Sequence, residues 1–209
     1  MRKRALQLAL TALLSALLTG GKAALAAIPN VEIVTLLCAL YGTTFGAIGI
    51  AATYLFVTTE TLIWGFGGWI VTYALYWPCV TFVFALLGKY DVRNRWICTL
   101  VACVMTVWFG VLSSLVDTGL FTGFLHDFWR RFAIIYVRGG AFYVAQIVCN
   151  ALLFPIAFVP LHRALVRILH ERMRRFCLLT PYRRKPLPKQ SCLPTYQKRR
   201  RNASPFCCL

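Results

Sequence analysis

Two apolar runs, residues 68–87 and 96–116, are separated only by a short charged connector carrying Lys89, Asp91, Arg93 and Arg95. A helix needs about 20 apolar residues to cross the hydrocarbon core of a bilayer. Further runs of this kind lie at 5–28, 31–58 and 139–161. No other feature limits the chain as strongly, and composition agrees with it. Of 209 residues 59% are apolar and 14% charged, and the mean hydropathy is +0.68. A soluble domain has no use for that much hydrocarbon. The expected fold class is all-α, a polytopic membrane bundle.

The formal net charge of +17 raises the question of nucleic acid, and the distribution of the charge argues against it. Residues 162–209 hold thirteen Lys/Arg against Glu171 alone, which leaves only +5 for the rest of the chain. The basicity is a tail. Beside a membrane it reads first as cytoplasmic retention and second as contact with anionic membrane lipid. The chain is therefore expected to divide into a membrane domain, 1–175, and a basic, disordered cytoplasmic tail, 176–209, whose Pro- and Arg-rich composition cannot build a core. MRKR followed by ALQLALTALLSALL also has the outline of a signal peptide. A first transmembrane helix is preferred, because the remaining runs need a partner packed there.

Parity sets the expected number of crossings. If 31–58 crosses once, the basic start and the basic tail fall on opposite sides of the membrane. Positive charge stays inside, so an even count is expected. Splitting 31–58 at Gly42–Gly46 gives six helices with both termini cytoplasmic in the plasma membrane. Two pieces of about 13 residues reach only about 20 Å each, so they must pack against protein. Residues 117–138, with their mixture of acids, arginines and aromatics, are then an outer loop; a crossing within 124–138 is the alternative.

In this arrangement Glu32, Glu60, Asp117 and Asp127, four of the six acids, gather on the outer face. A charge at mid-bilayer costs roughly 2.5–3.5 kcal/mol or more; at the rim of a shared cavity the cost is smaller. Trp69, Tyr73, Tyr76 and Trp77 fall on one side of a helix, preceded by Trp64 in a Gly-rich loop. Tyr143, Gln146 and Asn150 form a polar stripe at i, i+3 and i+7, and Asn30 stands beside Glu32. Together these are the expected substrate-binding residues of an aromatic-walled cavity. Each also has a plain reading: interfacial belt for Trp64 and Trp69, an interhelix bond for Asn150, and helix capping or helix-start electrostatics for Asn30 and Glu32. Ala5, Ala9, Ala12 and Ala16 form a small-residue stripe that suits either internal packing or a docking face for a membrane partner.

Enzyme chemistry has little to build on. The nine cysteines show no CxxC and no metal-ligand spacing, and read as structural. The three histidines lie outside the spans, and there is no HExxH or P-loop. No catalytic residue, metal site or bound cofactor is expected. A proton-coupled carrier using Glu32 or Glu60, and a non-transporting assembly protein working through its tail, are the competing readings.

With these residues in view, the segments IPNVEIVTLLCALYGTTFG, ETLIWGFGGWIVTYALYWP and FYVAQIVCNALLFP resemble an uncharacterised branch of the substrate-binding S components of energy-coupling-factor (ECF) transporters. The likeness covers about residues 5–161; the long basic tail departs from it. It implies capture of a vitamin or related small-molecule nutrient from outside. It further implies docking through Ala5, Ala9, Ala12 and Ala16 onto a transmembrane T component that carries two ATPase subunits, which use the ATP.

Overall fold

The computed structural model describes residues 2–26, 33–123 and 127–179, with the backbone alone at 2, 122 and 172–179. Asn30 and Glu32 lie outside the described residues. Among those described the chain is all-helical: α1 Arg2–Ala24, α2 Val34–Phe45, α3 Ala47–Trp64, α4 Trp69–Lys89, α5 Arg95–Thr122 and α6 Phe128–Leu153, then a π-helical turn Phe154–Phe158 leading into α7 Val159–Leu179. Five stretches are long and apolar enough to cross a membrane: Lys3–Ala24, Ala47–Trp64, Trp69–Lys89, Arg95–Phe121 and Phe128–Glu171. Their outward surfaces carry large apolar side chains such as Leu8, Leu13, Leu62, Phe82, Leu100 and Leu152, as lipid-facing helices do.

The 31–58 run divides into two unequal helices of 12 and 18 residues. The turn is at Gly46, where φ is +54°, a conformation open to glycine at little cost. Gly42, expected at the break, lies instead inside α2. Its role there is contact: a Cβ at this position would stand 2.2 Å from the Thr81 carbonyl oxygen and 2.9 Å from the Ala85 nitrogen. The backbones of α2 and α4 therefore touch, and Gly88 repeats the arrangement from the α4 side against Thr43. At about 18 Å α2 is too short to span by itself, and ten of its twelve residues are buried.

A second difference concerns 117–138. Instead of a long loop, α5 continues to Thr122 and α6 begins at Phe128. The arginines and Trp129 that lower the apolarity of this stretch fit a helix because Arg130, Arg138 and Trp129 are exposed on it.

The chain forms two units, divided after His162. In the first, α4 packs on α2, α3 and α5, α1 lies on α3, and α6 lies on α5. The core holds Phe56, Tyr76, Trp77, Phe84, Phe154 and Phe158, each at most 2% exposed. In the second unit the described chain is helical to Leu179, and Arg163, Arg167, His170 and Glu171 are exposed on it.

Candidate functional site

One end of the first unit collects the C-terminal turns of α1 and α3, the first turns of α4, and facing parts of α5 and α6. Glu60, on α3, is 1% exposed. A carboxylate that far from water must be paired, and its partner is Lys22 of α1, whose ammonium donates to Oε2. Lys22 is reached because Thr11, Leu14, Ser15, Leu18 and Lys22 share the face that α1 turns inward. The ammonium also lies 4.9 Å from the Tyr73 ring centroid and 6.0 Å from that of Phe56, within reach of cation–π attraction.

From Tyr73 a network of rings runs across the bundle. Trp69 meets Tyr73 at 5.2 Å, and Tyr73 meets Trp77 at 5.7 Å. Trp77 touches Phe56 and Tyr76. Phe109 of α5 lies in the middle, 4.8 Å from Tyr76 and 6.4 Å from Tyr143. The ring of Tyr143 fits a slot lined by Gly110 and Gly139, and its hydroxyl shares a 3.2 Å hydrogen bond with Ser114. Lower on the same seam, Asn150 donates 2.9 Å to Thr106, which donates to the Ala102 carbonyl.

Several buried polar atoms here have no partner: the Trp77 indole nitrogen, the Thr72 hydroxyl and the Asn150 carbonyl oxygen. Unpaired buried groups are uncommon in folded proteins and costly. Such atoms also occur on α2, at Thr35, Tyr41 and Thr44, so the buried ion pair is what sets this end apart.

The expected site residues thus divide. Glu60, Trp69, Tyr73, Tyr76, Trp77 and Tyr143 come together. Tyr76 and Trp77, expected to wall a cavity, are buried against neighbouring rings. Gln146 and Asn150 continue the α6 stripe into the interior, 4% and 1% exposed, and the amide of Asn150 makes the interhelix bond that was its plain alternative. Trp64 is 68% exposed at the end of α3, and the ring network begins beyond it. Asp117 is half-buried and takes no part in the Lys22–Glu60 pair. Ala5, Ala9, Ala12 and Ala16 are all exposed, on the side of α1 away from Leu14 and Leu18, so internal packing does not account for the stripe.

Two residues were not foreseen. Lys22 lies inside the apolar run 5–28 and is not among the expected site residues. A cation at one span end and a carboxylate at another was the available signal. Phe109 is one aromatic among many in an apolar run, and nothing in its spacing distinguishes it.

The arrangement offers a carboxylate, an ammonium, ring faces and hydrogen-bonding groups, a chemistry of binding. Among the described residues no cluster of His, Cys, Asp or Glu could hold a metal. His162 is buried against Phe158, which packs on Phe84 near the far end of α4. No family model matches the chain, and no curated protein or solved structure matches it either.

Proposed function

We propose that this protein is the substrate-binding membrane subunit, or S component, of an ECF-type ATP-driven importer, and that it captures a vitamin or related micronutrient at the Lys22–Glu60 end of the bundle. The observation that carries this reading is Glu60. A bundle of apolar helices has no structural need for a carboxylate 1% exposed, since an apolar group of similar size is often at least as stabilising as a buried ion pair. Retaining the pair among ring faces and unpaired donors is what a recognition site requires.

In this reading the helices cross the plasma membrane six times, with α2 and α3 as the split pair and both termini cytoplasmic. The site then opens outward. The uncovered alanine face of α1 docks on a transmembrane T component, and two partner ATPase subunits supply the energy; the chain itself carries no catalytic residue and binds no cofactor. Small side chains let helices approach closely in lipid, and the four alanines on the exposed side of α1 suit that role.

The test is purification of the full chain in mild detergent from its native membrane, followed by mass spectrometry of co-purifying small molecules and proteins. A stoichiometric small molecule together with ATPase subunits is the expected result. A chain that comes without ATPase subunits, even after cross-linking in the membrane, overturns the importer reading.

A further inference from the structure

Resting on the reading of this end as a substrate site, we infer that its ligand is an organic cation, and that Lys22 is a placeholder whose ammonium the ligand's cationic group displaces. The seat and its present occupant differ in kind. The seat is Glu60 with the rings of Tyr73 and Phe56, contributed by α3 and α4, and the carboxylate in it is 1% exposed. The occupant is the end of a flexible four-carbon side chain from α1, 31% exposed. A lysine ammonium has three donors, and among the described residues Lys22 uses one of them, toward Glu60. A carboxylate flanked by ring faces is the chemistry that recognises ammonium and alkylated ammonium groups. A cation entering from solvent finds that chemistry assembled, and among the described residues Lys22 gives up only its Glu60 bond and its two ring contacts on withdrawing into water.

The alternative, an anionic ligand held by Lys22, fits less well. The lysine charge is already neutralised by Glu60, and two of the three α6 arginines, Arg130 and Arg138, are exposed.

The experiment uses the full chain in detergent with three related probes: 1-methylnicotinamide (cation), nicotinamide (neutral) and nicotinate (anion). Tetramethylammonium serves as a minimal cation. Binding is read as thermal stabilisation, and displacement as acylation of the Lys22 amine, quantified by mass spectrometry. The cations are expected to raise Lys22 acylation several-fold and to stabilise the protein; nicotinamide and nicotinate are not. Lys22→Met removes the competitor, so cations bind it about tenfold more tightly and stabilise it more than the original chain. Glu60→Gln abolishes the cation effect. Should Glu60→Gln fail to fold, the acylation measurement on the unaltered chain still decides. Lys22 reactivity unchanged by millimolar cation overturns the inference, as does protection of Lys22 by nicotinate or weaker cation binding in Lys22→Met. None of these outcomes bears on whether ATPase subunits co-purify, so the cation assignment can fail while the importer reading stands.

Discussion

The α2–α4 seam and the Lys22–Glu60 end lie in the same bundle and are built on opposite lines. Along the seam, Gly42 and Gly88 bring backbone against backbone, and α2 is buried along nearly its whole length. At the other place a buried carboxylate is held by a half-buried ammonium among ring faces. Close packing of small residues is how helices associate when lipid gives no hydrophobic advantage. Buried charge does nothing comparable for stability. The contrast separates what holds the bundle from what the bundle holds.

The seam should break most severely. Gly42→Val places branched carbons where even one Cβ meets the Thr81 carbonyl at 2.2 Å, so the cost should exceed the 1–3 kcal/mol usual for overpacking. The expected result is loss of monodisperse protein on size-exclusion chromatography; a well-folded Gly42→Val protein would mean that the helices are not in backbone contact. The ion pair comes next. Lys22→Ala leaves Glu60 buried without its partner, a change worth about 3–5 kcal/mol in buried pairs, and the lower end applies because Lys22 reaches solvent. The double variant Lys22→Met/Glu60→Gln should recover most of that loss in thermal unfolding. If it does not, the pair is structural and the comparison fails at its center.

Smaller effects sharpen the boundary between the two regions. Asn150→Leu removes one interhelix hydrogen bond but also an unpaired carbonyl oxygen, so its stability change should stay near the ~0.6 kcal/mol average for such bonds in membranes. A loss of several kcal/mol would place Asn150 with the structural seam. Least of all, Ala9→Leu on the exposed face of α1 should shift stability by no more than about 0.5 kcal/mol while preventing co-purification of a docking partner. A large drop in stability would show that this face packs within the protein.

Much of this was legible in the sequence, and the parts that were not share a cause. Apolar runs of bilayer length located the helices, and a glycine-bearing interruption in 31–58 announced two pieces. The position of the turn was not legible, because Gly42 and Gly46 look alike in sequence and only one takes a positive φ. Residues 117–138 misled because mean apolarity does not report which side of a helix its arginines occupy. The spacing of Trp69, Tyr73, Tyr76 and Trp77 revealed a common face, but periodicity cannot say whether solvent or other rings cover it. Lys22 and Glu60 are 38 positions apart, and pairing them needs the knowledge that α1 lies on α3.

Trp77 gives the protein a property that has nothing to do with holding or binding. Of the six tryptophans it alone is buried, at 1% exposure, and it is locked against Phe56, Tyr73 and Tyr76 in edge-on geometries. An indole fixed in so asymmetric a setting has a strong near-ultraviolet circular dichroism band, and a water-borne quencher cannot reach its emission. The folded core therefore carries its own chromophore, placed among the rings that line the candidate site.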